Sequence, residues 1–258
     1  MSDVRGKFVW YDLVTPDMEA AEAFYKAVVG WSSMPWEGRE KPYTMWTIGE
    51  TSIGGVMTLP EEAKAMGAPP HWLGFVCTPD VAADTEKARA AGSTVYTDAQ
   101  QIPDVGAFSV LSDPQGVVVA FFTPEGEMPA IPEGEWNGKF SWHELVTGDW
   151  NAALEFYSGI FEWKMTDSMD MGEMGTYAMF GHDEEQTYGG MMNMPPGVEA
   201  PPHWLFYCTV PDLDAALAKV KELGGQIFNG PMEVPDGSRV AQCCDPQGAA
   251  FALHGPGA

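Results

Sequence analysis

Histidines and neighbouring carboxylates carry the most obvious chemistry in this chain. His71 and His203 open the apolar runs "HWLGFV" and "HWLFYC". His254 closes "AFALHG", and His143 sits beside Glu144 in "WHEL". Imidazole and carboxylate are what a divalent metal or an acid–base step requires, provided the donors converge. Adjacent strand residues point to opposite faces, so His143 and Glu144 are not expected to act on one atom. A histidine at the end of an apolar strand is expected first as a hydrogen-bonded rim residue and only second as a ligand. The chain lacks G-x-x-x-x-G-K-[ST], G-x-S-x-G and H-E-x-x-H, which sets aside the common phosphate-binding, acyl-transfer and zincin signatures. Cys77, Cys208, Cys243 and Cys244 form no C-x-x-C pair and lie in apolar runs, as buried free thiols would. "PDVG" at 103–106 and "PDGS" at 235–238 read as turns.

The elements that must position these residues occur twice. "FVWYDLVTPDMEAAEAFY" at 8–25 returns as "FSWHELVTGDWNAALEFY" at 140–157, with ten of eighteen positions identical and a Gly-Lys pair before each. "PPHWLGFVCTPD" (69–80) returns as "PPHWLFYCTVPD" (201–212), and "SDPQGVVVAF" (112–121) as "CDPQGAAFAL" (244–253), all at an offset of 132. One domain plan is copied once, and the period is too long for a solenoid. The expected division is 1–123 and 138–258, joined by a Pro/Gly/Glu-rich linker at 124–137. Within each copy a short β-rich run leads to an aspartate able to cap a helix, Asp17 in the first case. Ala20, Ala21, Phe24 and Val28 then fall at helical spacing, and Gly30 is placed to stop the helix. Strand-like runs follow and the pattern restarts at Trp72 and again near Trp204, the last two strands of each restart being joined by "DPQG". Each copy thus reads as strand–helix–three strands, twice over.

Bulk properties exclude several roles. With 258 residues and 45% apolar content the chain can bury packed cores. Thirty-seven acidic against thirteen basic residues give −24, a surface that repels phosphate backbones and anionic membranes. No apolar run is long enough to span a bilayer, and "MSDVRGKF" lacks the core of a signal peptide, so a cytoplasmic location is expected.

Four βαβββ modules in two tandem domains resemble the vicinal oxygen chelate superfamily of glyoxalase I, bleomycin-resistance proteins and extradiol dioxygenases. The carriers of the resemblance are the two "LVT" strand–helix segments, the "HW" blocks and both "DPQG" turns, and it covers about residues 6–255. It implies an α+β fold in which paired modules form a curled mixed sheet around a ligand-binding cup. It also implies a divalent metal held by His, Glu or Gln at set strand positions. The first-strand position falls seven residues before the capping aspartate, on Trp10, Leu73, Trp142 and Leu205. The last-strand position falls four residues after the turn glycine, on Ala120 and Ala252. In "GGVMTL" and "GGMMNM" only Thr58 and Asn193 carry oxygen donors. Hydrocarbon and indole do not coordinate a metal, so no cofactor is expected and a divalent metal is disfavoured.

The expectation is therefore a protein that binds a small, partly apolar molecule, as monomer or homodimer, with no nucleic-acid or membrane partner. The cup would be lined by Trp10, Met57, Leu73, Ala120, Trp142, Met192, Leu205 and Ala252. Polar groups would come from Tyr11, His71, His203 and His254. The alternative is a metal-dependent lyase, isomerase or dioxygenase with ligands in shifted register, drawing on His203 and His254 with Glu144 or His143. A third reading, an interaction module, would show a large exposed apolar patch instead of a cup.

Overall fold

The computed structural model describes residues 4–37, 41–126, 128 and 134–257, so the expected linker lies partly outside the described residues. The first module comprises β1 (Phe8–Thr15), α1 (Met18–Val28), β2 (Ser32–Pro35), β3 (Tyr43–Ile48) and β4 (Thr51–Thr58). A short helix, α2 (Glu61–Ala65), leads to the second: β5 (His71–Cys77), α3 (Val81–Ala90), β6 (Thr94–Ile102), β7 (Gly106–Ser112) and β8 (Val118–Pro124). The third is β9 (Phe140–Thr147), α4 (Trp150–Phe161), β10 (Lys164–Asp170), β11 (Thr176–Gly181) and β12 (Thr187–Asn193). The fourth is β13 (His203–Thr209), α5 (Leu213–Glu222), β14 (Gln226–Glu233), β15 (Arg239–Cys244) and β16 (Ala250–Gly255). The strands form two eight-stranded mixed sheets, ordered β2-β3-β4-β1-β5-β8-β7-β6 and β10-β11-β12-β9-β13-β16-β15-β14. This is the α+β tandem arrangement the repeat implies.

Local chemistry fixes the helix starts. Asp17, Asp80, Asp149 and Asp212 each accept a hydrogen bond from the amide three residues on, at 2.9–3.1 Å. Such caps satisfy an otherwise orphaned N–H and contribute about 1 kcal/mol each. Gly30 follows α1 with φ +87, the left-handed conformation that ends a helix cheaply. The edge strands β2 and β10 are short or polar and carry no apolar alternation, so the sequence does not locate them.

The chain divides into two compact units. One is Met1–Val9, Leu73–Met128 and Trp142–Trp204, and the other is Trp10–Trp72, Pro129–Ser141 and Leu205–Ala258. Each unit therefore combines a module of the first copy with a module of the second.

In the unit of the first and fourth modules, the buried Tyr25 on α1 donates to Asp245 Oδ2 at 3.2 Å and accepts from Trp72 Nε1 at 3.0 Å. Asp245 belongs to the second DPQG turn. Its other oxygen accepts from the amides of Gln247 and Ala249 at 2.9 and 3.0 Å. The Gln247 side chain then clasps the start of α1, donating to Asp17 O and accepting from Asp17 N, both at 2.8 Å. Phe251 packs edge-on against Phe24 and Tyr25. Trp31 Nε1 donates to Gly138 O at 2.8 Å. A Cβ at Gly138 would come within 2.7 Å of that nitrogen, which accounts for the glycine before the repeated strand.

The unit of the second and third modules repeats the device. Tyr157 on α4 donates to Asp113 Oδ2 at 3.2 Å and accepts from Trp204 Nε1 at 3.4 Å. Asp113 Oδ1 accepts from the amides of Gln115 and Val117 at 2.9 Å. Gln115 clasps Asp149 through two hydrogen bonds of 2.8 and 2.7 Å. Burial is the main cause raising the carboxyl pKa of both Asp113 and Asp245. The DPQG motif is thus more than a turn: it fastens one module to the helix start of another.

Cys77, Cys208 and Cys243 are buried, Cys244 is half-buried, and all four are free. Burial pushes Cys77 up to about 11 and Cys243 to about 12, so neither is a thiolate at neutral pH. No helix among the described residues is long and apolar enough to cross a membrane.

Candidate functional site

The sheet face turned away from the helices is built alike in the first and third modules. On β1, Trp10 and Asp12 share one face by the two-residue period of a strand. Asp12 stands beside Gly55 of β4, and Tyr43 of β3 stands beside Met57. Trp10 Nε1 donates to Tyr43 Oη at 2.8 Å and to Asp12 Oδ1 at 2.9 Å, while Tyr43 Oη donates to Asp12 Oδ1 at 2.6 Å. The third module matches it. Glu144 stands beside Gly190, and Tyr177 beside Met192. Trp142 Nε1 donates to Tyr177 Oη at 2.7 Å, and Tyr177 Oη donates to Glu144 Oε2 at 3.1 Å.

The paired glycines make these clusters possible. A Cβ on Gly55 would lie 2.1 Å from Tyr43 Oη, and one on Gly190 would lie 2.1 Å from the Tyr177 ring. Asp12 and Glu144 are 4% and 6% exposed, and a buried carboxylate is tolerable when hydrogen-bonded. Trp10 and Trp142 remain half-buried. Around the third-module cluster, Met169, Met171, Met179 and Met194 pack against Val146, Tyr177 and Met192. Thioether chains of this kind fill an irregular surface and adapt to what lies on it.

Met57 and Met192 thus share the faces of Trp10 and Trp142. In the second module, Ala120 lies opposite Phe75, on the same face as Leu73. In the fourth, Ala252 lies opposite Tyr207 and His254 opposite Thr209, on the face of Leu205. Tyr11 is a correction. As the strand neighbour of Trp10 it points to the other side, where it stacks on Phe140 at 3.7 Å and meets Phe206 edge-on.

The histidines are all engaged. His71 and His203 bond the carbonyls of Pro69 and Pro201 through Nδ1 at 2.8 and 2.9 Å, as rim residues do. His254 holds Ser141 at Nδ1 (2.9 Å) and Ser238 at Nε2 (2.7 Å). His143 is stacked on Phe8 with centroids 4.1 Å apart and bonds Tyr188 O. Burial lowers its pKa to about 4, so it is neutral. His143 and Glu144 therefore occupy opposite environments, as alternation requires.

The donor set does not fit the divalent metal that the resemblance implies. The aligned positions offer indole, isobutyl and methyl groups. Asn193 Oδ1 caps α4 by accepting from Trp150 N at 2.8 Å, and Thr58 is exposed beside Met18. Among the described residues no three His, Cys, Asp or Glu side chains come together as a metal site requires. Sequence reading overlooked Asp12, Tyr43 and Tyr177. The available signal was a carboxylate two residues after each first-strand tryptophan, with a tyrosine before each Gly-Gly strand. An open cavity of about 300 Å³ lies elsewhere, near Asp80 and Val81 at the start of α3, and touches none of these residues.

Fold, repeat and sheet faces together define the class. The chain belongs to the Glyoxalase/Bleomycin resistance protein/Dioxygenase superfamily, whose family model matches it twice, over residues 7–121 and 139–253. It is 33% identical to "Putative glyoxylase CFP32" of Mycobacterium tuberculosis (strain CDC 1551 / Oshkosh) over 250 residues, covering 96% of this chain and 94% of that one. It is 26% identical to "Anthracycline biosynthesis protein DauV" of Streptomyces sp. (strain C5) over 271 residues, covering 96% and 92%. Among solved structures, 2,2',3-trihydroxybiphenyl 1,2-dioxygenase of Sphingomonas wittichii strain RW1 superposes with a TM-score of 0.65 at 14% identity, covering 98% of this chain and 90% of that one. The Mn(II)-bound glyoxalase of Novosphingobium aromaticivorans gives 0.63 at 15%, covering 98% and 82%. These last two likenesses concern the fold alone.

Proposed function

We propose that the protein binds and sequesters a small, partly apolar, flat aromatic molecule on these sheet faces, without the family's divalent metal. The observation that carries the reading is the substitution at the first-strand position. Where the family presents a metal donor, Trp10 and Trp142 present a half-buried ring whose N–H is spent on a tyrosine. A half-buried indole beside methionine suits a planar ring, and covering about 150 Å² of apolar surface gains about 4 kcal/mol at about 25 cal/mol per Å². A few fixed polar groups in an apolar surround are the usual composition of a small-molecule site. The relative named for anthracycline biosynthesis agrees with a polycyclic aromatic ligand.

The test has two arms. The full chain is incubated separately with Zn²⁺, Ni²⁺, Mn²⁺ and Fe²⁺, desalted and submitted to elemental analysis. Retention well below one ion per chain is expected, and a stoichiometric, tightly held metal overturns the metal-free half. Titration with 1-ethylnaphthalene and 1-acetonaphthone, followed by tryptophan fluorescence, should give saturable quenching. No saturable binding of either compound overturns the ligand half.

A further inference from the structure

The first and third modules share the indole, tyrosine and carboxylate described above but differ around them. In each, four residues lie side by side across neighbouring strands on the face away from the helices. In the third module the row is Met169, Tyr177, Met192 and Val146. In the first it is Trp36, Tyr43, Met57 and Val14, with Trp36 just past β2 and its amide donating to Tyr43 O at 2.9 Å. Met179 and Met45 flank the row alike, beside Gly190 and Gly55. Past the row, Met194 takes the place of Leu59. Their amides donate to the matching carbonyls, Thr147 O at 2.7 Å and Thr15 O at 3.0 Å.

Two exchanges therefore set the copies apart, Trp36 for Met169 and Leu59 for Met194. Met169 and Met194 are half-buried and join Met171 and Met179 in packing against Val146, Tyr177 and Met192. The first module has Met34 beside Met45 where the third has Asp167 beside Met179, but Met34 is 47% exposed at the sheet edge. Both modules keep the first-strand indole, and only the first adds a second one. Trp10 Nε1 donates to the Tyr43 hydroxyl at 2.8 Å, and Trp36 meets the Tyr43 ring edge-on at 5.8 Å. An indole is a rigid plane with two rotatable bonds, whereas methionine is unbranched with three. Rigid planes favour a ligand that is itself flat and aromatic, because ring-to-ring contact adds to the gain from buried area. Thioether chains re-form around the shape they meet and gain from area alone. The fold does not dictate the difference, since both sets occupy the same register beside the same tyrosine.

We propose that the two copies are ligand sites of unequal selectivity. The first module takes a flat aromatic ring, with Trp36 as its specificity-determining residue. The third, through Met169 and Met194, also takes puckered, saturated fused-ring molecules of similar size. This inference rests on the ligand-binding reading above and adds to it the ligand shape that each module accepts.

The probes are 2-naphthol and trans-2-decalol, which share a carbon skeleton and a hydroxyl and differ in flatness. The full chain is labelled at its methionine methyls with ¹³C and titrated by NMR, the signals being assigned with single Met→Leu variants. Met45 and Met57 then report the first module, and Met179 and Met192 the third. The first module is expected to prefer 2-naphthol by about fivefold, the usual worth of one aromatic contact. In the third module the two affinities should lie within about twofold of each other. The double variant Met169→Trp, Met194→Leu installs the residue types of the first copy and should give the third module the same fivefold preference. The converse, Trp36→Met with Leu59→Met, should relax the first module, and it serves if the other variant melts early by circular dichroism. A first module no more selective than the third, a third module that refuses trans-2-decalol, or preferences that neither variant moves overturn this inference. Saturable shifts with 2-naphthol leave the ligand-binding reading intact in each of those cases. Binding of neither probe by the wild type overturns both.

Discussion

Tyr25 meets Asp245 at 3.2 Å, and Tyr157 meets Asp113 at 3.2 Å. Gln247 clasps Asp17 much as Gln115 clasps Asp149. Where the modules are fastened together, the copies are almost interchangeable. On the sheet face away from the helices the second and fourth modules differ: Phe75, Val110 and Phe122 in one copy, Tyr207, Gln242 and His254 in the other. The tyrosine–aspartate contacts of the fastening are buried, so changing either residue strands a hydrogen-bonding partner, whereas a sheet face can trade phenyl for phenol without disturbing the backbone. Similarity between the copies at these fastenings therefore reports folding.

The strongest way to break this comparison is to cut the fastenings one at a time. Asp113→Ala leaves the amides of Gln115 and Val117 and the Tyr157 hydroxyl without their acceptor, and should cost about 3 kcal/mol in urea unfolding. Asp245→Ala should match it to within about 1 kcal/mol, since its partners are the same in kind. A clear inequality would show that the copies are not equivalent where they look most alike.

Acid probes a site where the copies differ on the helix side. His143 replaces Tyr11, and burial lowers its pKa from the ordinary 6.5 of histidine to about 4 in the folded chain. The unfolded chain then binds a proton that the folded chain refuses, so the stability contribution is complete above about pH 6.5 and is lost as pH falls toward 4. Over that window the loss reaches about 3 kcal/mol. His143→Tyr, the residue type of the first copy, should flatten the dependence, as pH-resolved melting would show. An NMR titration placing His143 near its ordinary value removes the effect. The smallest change expected is for Gln115→Ala or Gln247→Ala. Each should cost about 1 kcal/mol because the freed backbone groups of Asp149 and Asp17 are exposed and find water.

Much of this architecture was legible from residue patterns acting over short range. The repeat, the capping aspartates, the turn before β16 and the opposed environments of His143 and Glu144 all follow from local spacing. The fastening was not legible, because Gln247 reaches a residue 230 positions away and nothing in "DPQG" names its partner. The tryptophan positions were read as lining, but Tyr43 and Asp12 were not joined to them. Their meeting depends on Gly55 leaving room for the Tyr43 ring, a packing fact without a periodic signal. Tyr11 was misplaced for the opposite reason: its hydroxyl suggested a polar site, while strand alternation sends the side chain to the aromatic core.

The mixed parentage of the two compact units has an evolutionary corollary. Neither half of the polypeptide owns a finished core, so halves made separately would have to find a mate before folding to completion. Joining them in one chain fixes that partnership at one to one and raises their local concentration to about the millimolar range. It also frees the halves from self-compatibility. In a pair of identical chains every substitution appears twice, but here Tyr207 could arise without a second tyrosine at residue 75.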